Sequence, residues 1–128
     1  MDDIEAIRQL TARYNRASDE GDVAAWLDCY TPDATFTRSN AERGWTGREE
    51  LRSLLLDTEV AARHVTTDFV ITVDGDTATQ TCYLMFLDRR KNFAVAMFGT
   101  YHDALLRSSD GWRFKERNLT VDEGPDAA

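Results

Sequence analysis

The chain has 128 residues, 42% hydrophobic and 30% charged, with a net charge of -8. That length suits one domain with a real buried core, and the acidic balance argues against nucleic acid or an anionic membrane as partner. No apolar run approaches the roughly 20 residues that span a bilayer, and the N-terminus lacks the basic and apolar regions of a signal peptide. Cys29 and Cys82 stand apart with no Cys/His metal spacing, so two buried free thiols in a reducing cytoplasm are expected. The chain carries no glycine-rich phosphate loop, no G-x-S-x-G and no H-E-x-x-H, and no metal is expected.

Asp2 with Glu5 has capping-box spacing, and Ile4, Ile7, Leu10, Tyr14 and Ala17 follow the stripe of one amphipathic helix. Gly21 stops it. Asp22 can cap a second helix, in which Val23, Trp26, Leu27 and Tyr30 recur at helical spacing. Asp19 falls in the last turn of the first helix, where the macrodipole disfavours a carboxylate. It is therefore either solvated or held by a cationic or hydrogen-bonding partner from elsewhere. Thr31-Pro32-Asp33 breaks the pattern, Ala34 to Arg38 reads as a short strand, and Ser39 to Gly47 reads as a loop holding Trp45. Thr46 with Glu49 repeats the capping signature, and Leu51, Leu54, Leu55 and Thr58 stripe a third helix ending near Ala62.

From His64 the period becomes two: Val65, Thr67, Phe69, Ile71 and Val73 should face one way, and His64, Thr66, Asp68, Val70 and Thr72 the other. Asp74-Gly75-Asp76 is a hairpin turn, followed by strands Thr77 to Leu87, Phe93 to Arg107 and Trp112 to Val121 and a frayed tail EGPDAA. Three helices and then a four-strand antiparallel meander with one early strand make an α+β plan, in a single domain over 1–128 with its core at about 4–121. The two central strands are apolar on both faces, as in Tyr83, Met85 and Leu87 against Leu84 and Phe86. One face would pack on the helices and the other on a second subunit, giving a homodimer or homotrimer.

The order Y-x4-D-x-x-D, P-D-A-T-F, G-x-E-E-L, R-H-V-T-T, V-D-G-D-T-A, G-T-Y-H-D and D-G-W-R-F-x-E-R resembles a SnoaL-like domain of the nuclear-transport-factor-like superfamily, across about Ile4 to Val121. The resemblance implies a cone-shaped α+β barrel in which a curved sheet wraps three helices around a deep apolar pocket. The pattern is most similar to scytalone dehydratase, bile-acid 7α-dehydratases and hexachlorocyclohexane dehydrochlorinase, which use a His with an Asp to remove a proton in an elimination. It implies that Asp19 and His64 are that pair and that Tyr14 sits where the bile-acid enzymes place a tyrosine. It also shows departures. Arg38 stands where ketosteroid isomerase has its base and where dehydratases tend to have a pocket tyrosine, Phe86 and Val121 replace later polar groups, and Ser18 replaces a further tyrosine.

The chemistry fits those residue types. A neutral imidazole takes the proton, while the carboxylate fixes its tautomer and stabilises the imidazolium that forms. Tyr14 is either a core residue with its hydroxyl tied to backbone or a donor to a substrate oxygen. Arg38 is an exposed strand-end charge, a cation neutralised by a carboxylate such as Asp33 or Glu42, or a fixed cation for an acidic or enolisable ligand. Tyr101 is a pocket candidate, Asp103 a partner for Arg117 or Arg113, and His102 an interface or surface residue. Trp26, Trp45, Trp112, Phe36, Phe69, Phe98 and Met97 read as core or pocket wall, with Trp26, Phe36 and Phe86 among the substrate-contacting residues. The expected function is a cofactor-independent lyase or isomerase, dehydratase-like, acting on a hydrophobic small molecule. The alternatives are a non-catalytic ligand-binding or accessory subunit and a polyketide-type cyclase.

Overall fold

Asp2 accepts a hydrogen bond from the Glu5 amide at 2.8 Å, satisfying one of the donors that every helix start leaves without a partner. The computed structural model describes residues 1–58 and 61–123 and shows helix α1 over Asp3–Glu20. Its buried stripe is Ile7, Leu10, Thr11, Tyr14, Asn15 and Ala17. Ile4, expected in that stripe, is 49% exposed, and Ala6 packs against the core in its place. Gly21 ends the helix at φ +70°, its amide reaching the carbonyls of Ala17 and Ser18 while the Asp22 amide reaches Ala17 at 2.9 Å. This left-handed turn suits glycine, and it reverses the chain directly beside Asp19.

Helix α2, Val23–Asp28, is capped by Asp22 and is shorter than its apolar spacing implied. Tyr30 does not belong to it: that residue opens strand β1, Tyr30–Arg38, which runs through the expected break at Pro32. A proline is tolerated there because it lies where the pairing of β1 with its neighbour shifts register, between Tyr30 and Thr35. The segment read as a loop contains a short strand β2, Trp45–Thr46, with Trp45 in register with Phe36. Helix α3, Gly47–Leu56, stops well before Ala62. Thr46 makes no side-chain cap; Glu50 accepts the Thr46 amide at 3.1 Å instead.

Strands β3 (Ala62–Asp74), β4 (Thr77–Asp88), β5 (Ala94–Ser108) and β6 (Gly111–Val121) form the expected antiparallel meander, with a 3-10 turn at Arg89–Lys91. The sheet as a whole is mixed, in the order β2-β1-β6-β5-β4-β3, because β1 pairs parallel with β6. Its ends, β2 and β3, do not pair with each other, so the sheet is open and the barrel expectation is corrected. No described helix is long and apolar enough to cross a membrane. The tail from residue 124, expected to fray, lies outside the described residues.

One expectation for β3 fails in an informative way. A register shift between Thr67 and Val70, with Asp68 at φ +57°, inserts one extra residue and exchanges the faces. Before it the inward residues are His64 and Thr66, the latter bonded by Asn15 of α1 at 3.0 Å. After it Phe69, Ile71 and Val73 pack on the core, and Val70 is 66% exposed. A strict alternation would have given His64 and Phe69 opposite faces.

The outer face of the sheet exposes Tyr83, Val95 and Phe98 by about half each, so Phe98 is neither core nor pocket wall as expected. A contiguous apolar surface of this kind is unfavourable in water. We propose that a second copy covers it. Light scattering at micromolar concentration is then expected to give a mass above that of one 14.5 kDa chain, and Phe98→Lys with Tyr83→Lys should return it to a monomer. A clean monomer for the unmodified chain would contradict this.

Candidate active site

Asp19 and His64 reach each other because the left-handed turn at Gly21 and the first residues of β3 meet at one end of the sheet. His64 Nδ1 and Asp19 Oδ1 are 2.6 Å apart, and the His64 backbone amide donates to both carboxylate oxygens at 3.1 Å. Arg63 Nε lies 3.7 Å from Asp19 Oδ2, and the side chains of Asp19 and His64 are 12% and 9% exposed. The carboxylate that the helix dipole disfavours is thus held by a backbone donor, an imidazole and a cation. With Nδ1 turned to Asp19, the imidazole's other nitrogen is the one left to act on a ligand. Phe86, paired with His64 across the strands, stands edge-on to the imidazole at 4.9 Å and 88°.

A cavity of about 580 Å³ opens at this end, within the usual range for small-molecule sites. Tyr14, Asp19, Trp26, Phe36, Arg38, His64, Phe86 and Tyr101 all border it, together with Leu54 and Leu55 of α3 and Met97 of β5. The sequence-derived site residues therefore share one cavity. Tyr14 is buried in the core and also borders the cavity. Its ring packs on Trp26, Tyr30 and Phe114, and its hydroxyl lies 2.8 Å from that of Tyr30 rather than on backbone. When Tyr30 donates to Tyr14, the Tyr14 proton is free to point into the cavity. Burial raises both phenol pKa values, with Arg117 opposing it, so both hydroxyls stay neutral donors at neutral pH.

Behind the tyrosines lies a group the sequence reading treated only as a partner for Asp103. Arg117 is fully buried, its Nε 3.0 Å from Asp103 Oδ1. Its guanidinium carbon is 3.5 Å from the ring centroid of Tyr101 and 4.4 Å from that of Tyr14. Gln80 donates to Asp103 Oδ2 at 2.9 Å and to the Thr11 hydroxyl at 3.1 Å, which ties the ion pair to α1. Burial works against the charged guanidinium, but Asp103 and then Tyr101 more than compensate and raise its pKa. Tyr30 was misplaced by the sequence reading through its helical spacing, and Trp45, read as core or pocket wall, is buried as expected but lies on a strand and not in a loop. A dense aromatic content just before and after a short strand is the signal that would have found them.

The chain belongs to the SnoaL-like domain family, which matches residues 1–118. Its structure is similar to that of a variant of a function-unknown protein from Mycobacterium tuberculosis, at 30% identity and a TM-score of 0.88, covering 98% of this chain and 76% of that one. It is also similar to an NTF2-like protein with a cystatin-like fold from Novosphingobium aromaticivorans, at 26% identity, a TM-score of 0.86, and coverage of 98% and 86%. A candidate scytalone dehydratase from the same species shares the fold at 18% identity and a TM-score of 0.81, with coverage of 98% and 87%. No curated protein matches the chain.

Two predictions follow from the buried groups. Arg117→Met should destabilise the fold by roughly 3–5 kcal/mol, since it strands the Asp103 charge. The double substitution with Asp103→Asn should recover much of that loss, as read by urea unfolding. Burial also pushes the thiols of Cys29 and Cys82 up to about 11. Above a pH of about 8.5 an unfolded chain releases thiol protons that the folded chain keeps, so stability should fall as the pH rises towards about 11. Melting temperatures measured at pH 7, 9 and 10.5 should decline in that order, and less so in a Cys29→Ala, Cys82→Ala variant.

Proposed function

We propose that the protein is a lyase or isomerase, dehydratase-like, that removes a proton from a carbon next to an electron-withdrawing group of a hydrophobic small molecule. The observation that carries this reading is the 2.6 Å contact between His64 and Asp19 at the wall of a largely apolar cavity. His64 takes the proton on the nitrogen not facing Asp19. Asp19 offsets the imidazolium charge; at ~4 Å and an effective dielectric near 20 such an attraction is about 4 kcal/mol before desolvation. Tyr14, backed by Tyr30, donates to the oxygen on which charge develops. In an elimination the electron pair then expels the β-substituent; a hydroxyl leaves as water by taking the proton from the His64 imidazolium, which restores the neutral base. In an isomerisation the same proton returns at another carbon.

A non-catalytic ligand-binding role is the second reading, and Phe86 favours it. That side chain sets an apolar ring against His64, at a position where the bile-acid dehydratases that the sequence resembles have a polar group. Polyketide-type cyclisation would use the same base and donor on a longer substrate.

Deuterium uptake from solvent at the acidic C–H positions of a panel of aromatic ketones and β-hydroxy ketones, followed by NMR, separates these readings. The native protein should accelerate exchange of at least one member. His64→Gln should lose roughly 10²–10⁴-fold of that rate, and Tyr14→Phe should lose on the order of 10²-fold. Exchange no faster than in buffer across the panel, or equal in His64→Gln, would remove the catalytic reading and leave the binding one.

A further inference from the structure

Arg38 closes β1 and borders the same cavity as His64. Its guanidinium carbon lies 5.2 Å from the ring centroid of Trp45, and Arg43 approaches the same indole at 5.4 Å. Trp45 is itself fixed: it is 8% exposed, in register with Phe36 on the neighbouring strand, and packed on the Phe36 ring at 6.0 Å. Stacking on an indole holds a guanidinium without engaging any of its N–H donors. Among the described residues, the Arg38 side chain makes no ion pair and no hydrogen bond, while its backbone carbonyl accepts from the Ala41 amide at 3.2 Å. The two carboxylates that sequence reasoning offered as partners do not reach it, and Asp33 accepts from Thr31 at 3.1 Å instead. Other arginines near the cavity are differently engaged. Arg89 donates to the Asp19 carbonyl at 3.1 Å, and Arg63 lies beside the Asp19 carboxylate.

The cavity thus combines apolar walls, a base at one side and a positioned cation with its donor fork available. Arg38 is exposed, as a strand-end charge would be, and it also borders the cavity. In a protein of net charge -8 an anion would be drawn there by the local guanidinium and not by the overall field. A planar guanidinium at the border of an apolar cavity matches an oxyanion bound by two parallel hydrogen bonds. Asp19 and Glu20 also border the cavity, and the Asp19 charge is already met by His64 and Arg63.

We infer that the cavity takes an apolar ligand bearing a single carboxylate or phenolate, with that anion on Arg38 and the apolar body against Leu54, Leu55 and Met97. This rests on the proposed function for what happens at the His64 end, but the anion site itself does not require His64 to act as a base.

Calorimetric titration of the full chain with 2-naphthoate and with its neutral methyl ester tests the inference. The native protein should bind the carboxylate at least about tenfold more tightly. Arg38→Met should weaken the carboxylate by roughly tenfold to a hundredfold, the range of a charge-assisted hydrogen bond, and leave the ester nearly unchanged. Arg38→Lys should recover part of the preference, and Arg43→Met should retain all of it. Equal affinity for the two probes, a preference that survives Arg38→Met, or no binding of either probe would overturn the anion site. The two readings fail separately. An Arg38-dependent preference in a protein that exchanges no deuterium leaves the anion site standing without catalysis. Exchange that depends on His64, with no carboxylate preference, does the reverse.

Discussion

The buried ion pair of Arg117 and Asp103 is the constraint around which the inner face of the sheet is arranged. Both side chains are fully removed from water, a costly placement that pairing of the charges offsets. Arg117 Nη1 has no hydrogen-bond partner among the described residues, and the rings around the guanidinium are its surroundings. Gln80 from β4 meets Asp103, and through the Thr11 hydroxyl it also ties α1 to the sheet. Tyr101, Tyr14 and Phe114 lay their rings around the guanidinium. Replacing such a pair by apolar residues need not weaken a protein, so stability does not explain its presence. It does fix a position: Tyr14 cannot shift along α1 without breaking contacts with a cation that is itself held from three strands.

A second constraint sets the other side of the cavity. The extra residue near Asp68 lets His64 and Thr66 face α1 while Phe69, Ile71 and Val73 still reach the core farther along the strand. Without it, one of the two groups would point outward, because side chains in a strand alternate with a period of two. The turn at Gly21 does the corresponding work on the helix, bringing Asp19 beside the start of β3. The contact between the two residues is thus the product of two backbone irregularities, one ending a helix and one shifting a strand.

That history explains what the sequence made legible. Helix α1 and its cap were readable because helical period and capping are local, and the meander was readable from its turns and alternation. Asp19, His64 and Tyr14 were recognised by residue type and order. The parallel pairing of β1 with β6 was not readable, because partners far apart in sequence leave no local periodicity. The strand placement of Tyr30 and Trp45 was missed for the same reason: each has a helical or loop-like neighbourhood and a strand's place in the fold. The face exchange in β3 was hidden because Asp68 carries no glycine to announce a positive φ. Phe98 was misplaced since a strand with apolar residues on both faces does not say which face is inner.

The cavity's polarity is graded in a way that bears on chemistry. Among its lining residues are neutral donors: Tyr14, whose hydroxyl is backed by Tyr30, and Trp26, whose indole N–H is buried with no hydrogen-bond partner among the described residues. Its wall holds the His64–Asp19 pair, and Arg38 stands at its border. Neutral donors serve a charge that appears only during a reaction, because they add little field to the resting state. A permanent cation serves a charge that the ligand brings with it. Arg117 lies against the rings of Tyr14 and Tyr101, and its own charge is answered by Asp103. On the function and anion site proposed above, separation of these two kinds of positive potential would orient a ligand with one ionised end, its reactive carbon between the tyrosines and His64.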